Sequence, residues 1–170
     1  IVAQAREFAA DAKSSKGFQS LALLFPDTPP MDEVAFEQAL WARLQALHAM
    51  DARTAQWDPS VSDDPSSPKF SFSLGGHAFY VVGLHPASSR RARRCPQAAL
   101  VLNLHSQFEA LRADGRYERF HEAIVERDVE FSGSVNPMLA THGKGLEAPQ
   151  YSGRKVDAAR WRCPFHTDSP

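Results

Sequence analysis

The stretch FSFSLGGHAFYVVGLHPASSRRARRCPQAALVLNL, residues 70–104, contains the pattern that decides the fold. Phe70 to Leu74 alternates apolar residues with serine at the period of two that is typical of a strand, and Gly75-Gly76 then predicts a turn. The apolar segment from Ala78 to Leu84 completes a hairpin, because a short glycine turn joins two strand-like segments. A further strand is predicted from Ala98 to Leu104, after a loop rich in arginine.

The flanking sequence predicts helices and one more strand around this hairpin. The helices are expected at residues 1–12, Glu33–Ala49, Ser106–Ala113 and Arg116–Val129, and the strand at Ser20–Phe25. Beyond Phe131 the chain is rich in glycine and proline, and such a long irregular segment commonly wraps over a site. We therefore predict an α+β fold with a mostly antiparallel sheet of about four strands, helices packed on it and a long irregular C-terminal segment.

The composition is that of one ordinary globular domain, covering residues 1–170. The net charge of -1 provides no overall field that would draw the protein to nucleic acid or membrane. Two cysteines without metal-ligand spacing, and no apolar run of membrane-spanning length, predict a cytoplasmic protein. The chain begins at Ile1 as though inside a helix, so we expect that it lacks its native N-terminal segment.

Two histidines stand where predicted strands end, beside a cluster of basic residues. His85 follows the strand that ends at Leu84, and His105 follows the strand that ends at Leu104. Four arginines lie within the five positions 90–94. Because imidazole ligates iron and guanidinium groups bind carboxylates, this combination suits an anionic metal cofactor, and haem b meets that description.

His85 is the first candidate for the axial iron ligand, since the proline after it ends the strand and directs the imidazole. His105 is the alternative ligand, or a catalytic group that steers the oxygen bound to iron. The simpler interpretations are a strand-end histidine bonded to a loop carbonyl and a helix-capping or core histidine. Ser88, Arg90 and Arg94 are the predicted cofactor-binding residues, the arginines on the haem propionates, and a solvated surface loop is the simplest alternative.

Six motifs follow one another along the chain. They are GLHPASSRRARRCP at 83–96, NLHSQFEALR at 103–112, GRY at 115–117, GSVNPML at 133–139, QYSGR at 150–154 and WRCPF at 161–165. In this order they resemble the YqcI/YcgG family, over residues 41–165 of the chain. The length and the fixed succession of the motifs make the resemblance specific.

The resemblance implies a haem-dependent oxygenase, because members of that family include N-hydroxylases of guanidino compounds in D-cycloserine and guanitoxin biosynthesis. It implies substrate-binding roles for Asn136, Tyr151 and Arg154, the last suited to a carboxylate. The simpler interpretations are a turn at Asn136 and a core aromatic side chain at Tyr151. Relatives tend to carry an acidic residue where this chain has Lys144, and a lysine disfavours a cationic guanidinium nearby. The expected substrate is a nitrogen-bearing amino-acid or guanidine-like metabolite, with an arginine-like one disfavoured.

The expected partners are this small molecule, dioxygen or peroxide, and an electron donor that the sequence does not identify. A homodimer is an alternative to the monomer, and neither a nucleic-acid nor a membrane partner is expected. A non-catalytic haem-binding or haem-sensing protein is the alternative from another class, marked by joint ligation by His85 and His105. A nucleic-acid binder is a third alternative, disfavoured because no aromatic residues are interleaved in the basic loop.

The other candidate ligands have weaker patterns. Five further histidines show no ligand spacing with one another: His48, His77, His121, His142 and His166. Cys95 and Cys163 are interpreted as non-ligating residues rather than thiolate ligands of iron. A two-histidine iron site completed by Glu109 or Glu147 stays an alternative without a motif behind it.

Overall fold

The computed structural model describes residues 1–15, 17–138, 145–157 and 159–167. In this part of the chain the helices are α1 (Val2–Ala12), α2 (Glu33–Asp51), α3 (His105–Ala113) and α4 (Tyr117–Ser132), and the strands are β1 (Ser20–Phe25), β2 (Phe72–Leu74), β3 (His77–Leu84) and β4 (Ala98–Leu104). Short 3-10 helices lie at Arg91–Arg93 and Ala148–Gln150. The predicted α+β class is confirmed, and each predicted helix and strand is present with ends shifted by a few residues at most. None of the described helices combines the length and the apolar character needed to cross a bilayer.

The strands form one antiparallel sheet in the order β1–β4–β3–β2. Gly75 and Gly76 make the turn between β2 and β3 with φ of 65° and 80°, values that glycine adopts without strain. The first strand of the hairpin is shorter than predicted, because Phe70 forms an isolated parallel bridge with Ser62 instead. Tyr80 lies opposite Asn103, and this register decides which side chains of β3 and β4 share a face.

One face of the sheet packs against α2 and forms the core. Val81 on β3 and Leu102 on β4 are completely buried there. Gly83 allows the closest approach, since a Cβ at that position would lie 2.7 Å from Leu40 Cδ1 and 2.9 Å from the Tyr151 carbonyl oxygen. The glycine is therefore a packing requirement of this interface.

Helix α2 supplies much of the core. It begins as predicted, because Asp32 Oδ1 accepts a hydrogen bond from the Ala35 amide at 2.8 Å and so caps the first turn. Its buried apolar side chains are Phe36, Leu40, Trp41, Leu44 and Leu47. Burying a side chain of this size stabilises the fold by about 1.5–3 kcal/mol.

Helix α4 has a different environment, because none of its residues is buried. It packs on α3 and on the 3-10 helix Arg91–Arg93, beside the second face of the sheet. The space between α4 and that face is a cavity.

Candidate functional site: a cavity behind the sheet

The cavity has a volume of about 570 Å³. Tyr80 and Val82 of β3 and Asn103 of β4 line it from the second face of the sheet. Its further aromatic and aliphatic lining consists of Phe18, Phe108, Tyr117, Phe120, Ile124 and Phe131. Pockets for cofactors and small ligands have volumes of about 300–1,000 Å³ and mostly apolar walls. This space is therefore suited to a ligand with a large apolar body.

The remaining residues that line the cavity are mostly polar. They are Arg90, Ala92 and Arg93 of the basic loop, Arg112, His121, Arg127 and Asp128 of α3 and α4, and Asn136, Gly145, Glu147 and Gln150. Arg112 donates to Glu109 through Nη1, but its Nη2 is buried without a hydrogen-bond partner among the described residues. The same guanidinium lies 4.0 Å from the centre of the Tyr117 ring, so it packs on an aromatic side chain of the cavity wall.

Arg90 lines the cavity as part of an ion pair. Its Nε lies 3.1 Å from both carboxylate oxygens of Asp128 on α4, and its Nη2 donates to Asp128 Oδ2 as well. Nη2 also donates to the carbonyl oxygen of Ser134 at 2.5 Å. The guanidinium predicted to hold a propionate is thus already paired within the chain.

The other arginines of the loop also have internal partners. Arg93 is only 8% exposed and donates at 3.2 Å to three carbonyl oxygens, those of Gly83, Gln150 and Tyr151. Arg94 Nε donates to the Ser88 carbonyl at 2.8 Å and does not line the cavity. The guanidinium of Arg91 lies 5.0 Å from the ring centre of Phe131. These contacts give the loop a scaffolding role that its charge alone did not predict.

His85 lies on the α2 side of the sheet, away from the cavity. Its ring stacks on Phe36 with 4.2 Å between ring centres, and the residue is 1% exposed. Nδ1 has no hydrogen-bond partner among the described residues. Burial lowers the pKa of His85, and the nearby Glu33 and Asp32 only partly oppose this. Ser88 lies in the same loop, with its hydroxyl also buried and without a partner in the described chain.

His105 lies at the other end of the sheet. Because β3 and β4 are antiparallel, Leu84 pairs with Ala99 while Leu104 pairs with Phe79. His85 and His105, which follow Leu84 and Leu104, are thus separated by about 20 Å along the strand direction. His105 begins α3, with Nε2 3.4 Å from Glu109 Oε1, and does not line the cavity. The two histidines cannot ligate one haem together.

Of the three residues predicted to bind substrate, Asn136 alone lines the cavity. Its Oδ1 accepts from the Met138 amide at 3.0 Å, which is the turn expected as the simpler interpretation. Arg154 lies on the α2 side, where Nε donates to Glu37 at 3.0 Å. Its guanidinium therefore already has a carboxylate partner.

Tyr151 is a core residue rather than a wall of the cavity. It is completely buried and stacks on Trp41 with ring centres 5.5 Å apart. Its hydroxyl accepts from the Phe72 amide and donates to Glu147 Oε2, each at 3.1 Å. Burial and the Glu147 carboxylate raise its pKa well above the ordinary value. Glu147 is itself 3% exposed and lines the cavity next to this hydroxyl.

The residue that sequence reasoning missed is His121 of α4. Its side chain lines the cavity, and its Nε2 is buried without a hydrogen-bond partner among the described residues. The signal was the helical spacing of Tyr117, His121, Ile124 and Phe131, which places this histidine on the apolar stripe of α4. The sequence analysis considered His121 only for its spacing from other histidines, and therefore missed its position on the apolar stripe of the helix.

Other predicted features lie elsewhere. Cys95 and Cys163 do not line the cavity, and burial raises the pKa of the Cys163 thiol to about 12. The described part of the chain contains no group of three or more histidine, cysteine and carboxylate side chains that could hold a bare metal ion. His142 and Lys144 lie outside the described residues.

Comparison with known proteins identifies the family of the chain. The YqcI/YcgG family matches residues 1–166, so the chain belongs to the YqcI/YcgG family. No curated protein and no solved structure matches the chain.

Proposed function

We propose that this protein binds haem b in the cavity behind the sheet and uses it to oxidise a nitrogen of an amino-acid or guanidine-like small molecule. The cavity itself is the observation that carries the proposal. It combines about 570 Å³ of space, a lining of phenylalanine and tyrosine rings, and arginine residues in the same lining. The choice of nitrogen oxidation as the reaction depends on the resemblance to the N-hydroxylases of guanidino compounds.

The residues of the cavity fit a haem better than those of the two strand ends. A porphyrin needs a flat apolar slot, cations for its propionates and a nitrogen ligand for its iron. Arg112 and Arg127 line the cavity and would hold the propionates. Arg90 and Arg94, which were predicted for that role, are bonded within the chain.

The chain would contribute exclusion of water and control of charge. Haem, when bound, supplies the activation of dioxygen or peroxide. In the net reaction with dioxygen, the N–H of the substrate becomes N–OH, and an external donor supplies the electron pair and two protons that convert the second oxygen atom to water. Phe108 and Phe120 would keep bulk water from the oxidant. Burial raises the pKa of Tyr80 to about 12, so its hydroxyl stays protonated in the lining.

Titration of the purified protein with haemin tests the proposal. The expected result is a saturable one-to-one shift of the Soret band, and a further shift when the reduced complex takes up carbon monoxide. Val82→Trp should abolish haemin binding, and with it both spectral shifts, because the indole would occupy the cavity. Val34→Trp is the matched control, since Val34 is 49% exposed on α2, on the other side of the sheet.

A second experiment separates binding from catalysis. The haem complex would be incubated with a panel of primary amines, amino acids and guanidines, with dioxygen and a reductant or with hydrogen peroxide. A hydroxylamine or N-hydroxyguanidine product, lost in Val82→Trp and kept in Val34→Trp, supports the oxygenase. Haem binding without any product would leave the non-catalytic haem-binding alternative, and failure of the wild-type protein to bind haemin would remove both.

A further inference from the structure

We infer that strand β1 is the interface of a homodimer, in which it pairs antiparallel with β1 of a second copy of the chain. This inference is independent of the proposed function. β1 is an outer strand of the sheet, paired on one side with β4. A strand at the edge of a sheet presents a row of backbone N–H and C=O groups that can pair with another chain. Two copies joined in this way would share one continuous antiparallel sheet.

The outward side of β1 has hydrogen-bonding groups available for a partner strand. In an antiparallel ladder, every second residue directs its N–H and C=O away from the neighbouring strand. Apart from the ladder with β4, no backbone group of another described residue bonds to the backbone of residues 20–24. At the end of the strand, the Phe25 carbonyl accepts from the Thr28 amide at 3.2 Å. The outward groups before Phe25 are therefore free to pair.

β1 also lacks the charges, proline and bulge that usually protect an edge strand. Its sequence SLALLF, residues 20–25, contains neither a charged residue nor a proline. Its pairing with β4 advances one residue at a time from Ser20 to Phe25, without a bulge. Ala22 and Leu24 are exposed on one face of the strand, Leu24 by 59%. An apolar edge of this kind favours pairing over contact with water.

The opposite edge of the sheet is protected. β2 has only three residues, and all of them are buried. The Ser73 hydroxyl accepts from the Asp58 amide at 2.9 Å, so the loop before β2 packs on this strand. In the described part of the chain, β1 is therefore the edge open to pairing, and assembly through it closes at two copies.

The alternation of side chains restricts how two β1 strands can pair. The two-fold axis of such a pair is perpendicular to the sheet, so opposed residues lie on the same face, and the axis must pass through a residue. An axis at Leu23 places Leu24 opposite Ala22 of the partner subunit. It also places Leu21 opposite Phe25 of the partner subunit, so both pairs are apolar. An axis at Ala22 would instead place Leu24 opposite a serine, and the axis at Leu23 is therefore favoured.

Sedimentation equilibrium of the purified protein at micromolar concentration tests the interface. The wild type should have twice the mass of one chain. Leu24→Lys should be monomeric, because the two new ammonium groups would lie diagonally across the axis and repel each other. Met50→Lys is the matched control and should stay dimeric, since Met50 is 58% exposed on α2. Circular dichroism checks the folding of each variant, and Ala22→Lys replaces Leu24→Lys if the latter does not fold.

A charge pair tests the register. In the double variant Ala22→Glu with Leu24→Lys, an axis at Leu23 places each lysine opposite a glutamate of the partner subunit. Opposite charges in facing positions stabilise a strand pair, so the dimer should return. An axis at Ala22 would place the two glutamates opposite each other, and the double variant would then stay monomeric.

The outcomes decide between the interface proposed here and its alternatives. A wild-type dimer that Leu24→Lys dissociates and the double variant restores supports both the interface and the register. A monomeric wild type overturns the inference. So does a dimer that Leu24→Lys leaves intact, because its interface would lie elsewhere on the chain. A dimer that Leu24→Lys dissociates and the double variant does not restore overturns the axis at Leu23.

Discussion

Arg90 and Asp128 form a bidentate ion pair that joins the basic loop after β3 to helix α4. Nε of Arg90 lies 3.1 Å from each carboxylate oxygen, and the two side chains are only 10% and 13% exposed. Ser132 strengthens the same junction, because its hydroxyl accepts from the Ala92 amide and donates to Asp128, each at 3.2 Å. Since α4 has no buried residue, this junction is a main attachment of the helix that covers the cavity.

Removal of Asp128 should therefore destabilise the protein. Asp128→Ala leaves the Arg90 guanidinium largely buried without its carboxylate, and breaking a buried pair costs about 3–5 kcal/mol. Because a little water reaches this pair, we expect a loss of about 2–4 kcal/mol in the free energy of unfolding. Urea denaturation followed by circular dichroism measures this loss.

Asp114 provides the control for that experiment. It pairs with Arg116 at 2.6 Å, but the two side chains are 53% and 65% exposed. Exposed pairs contribute about 0–1 kcal/mol, so Asp114→Ala should have almost no effect. Equal losses in the two variants would show that the Arg90–Asp128 pair has no special role in attaching α4.

The buried imidazole of His85 should make stability depend on pH. Burial lowers its pKa below the ordinary value of 6.5, so the unfolded chain binds a proton more readily than the folded one. The stability provided by the neutral ring is complete above pH 6.5 and is lost as the pH falls through the lowered folded pKa. The free energy of unfolding should therefore decrease from about pH 7 to about pH 5.

His85→Gln isolates the contribution of this side chain, because glutamine does not titrate. The variant should lose less stability over the same pH interval than the wild type does. The pKa of His77 is also lowered, and it contributes a fall of the same sign to both proteins. Parallel pH profiles for the wild type and the variant would contradict the assignment.

Arg93 should be a structural residue although it belongs to the same basic cluster. Its guanidinium is buried and donates to the carbonyl oxygens of Gly83, Gln150 and Tyr151. Arg93→Met removes these charge-assisted bonds and leaves acceptors unpaired, so we expect a loss of about 2–4 kcal/mol. The exposed Arg160, with a side chain 90% accessible, is the control, and Arg160→Ala should leave the thermal midpoint unchanged. If Arg93→Met has the same thermal midpoint as the wild type, Arg93 does not have this structural role.

Much of the fold could be predicted because its signals are local. The alternation from Phe70 to Leu74, the glycine turn at Gly75 and Gly76 and the apolar segment after it are enough to predict the hairpin. The capping residue Asp32 and the helical spacing of apolar residues after it predict helix α2. Helix and strand propensity and hydrophobic periodicity depend on a few neighbouring residues. They can therefore be recognised in the sequence without knowledge of the tertiary contacts.

The candidate site was harder to predict, because it depends on the face of the sheet and the end of the strand at which each residue lies. The separation of His85 and His105 follows from the antiparallel pairing of β3 and β4, and could have been deduced. The pairing of Arg90 with Asp128 could not, since it depends on where α4 docks, 38 residues further along the chain. The four arginines look equivalent in the sequence, and only packing gives them different partners.

Gly83 should be the position of this sheet least tolerant of a side chain. A Cβ there would lie 2.7 Å from Leu40 Cδ1, 2.8 Å from Phe36 Cε1 and 2.9 Å from the carbonyl oxygen of Tyr151. The side chains could shift, but the Tyr151 carbonyl is backbone and also accepts a hydrogen bond from the Gly83 amide at 2.7 Å. Gly83→Ala should therefore lower the free energy of unfolding by about 1–3 kcal/mol, because the added methyl group overpacks the interface.

Gly17 is the matched control, because a Cβ there would have no atom within 4 Å, and alanine at this position should be neutral or slightly stabilising. Thermal unfolding of both variants is the measurement, and an unchanged midpoint for Gly83→Ala would mean that α2 and the Tyr151 segment can move away from the sheet without loss of stability.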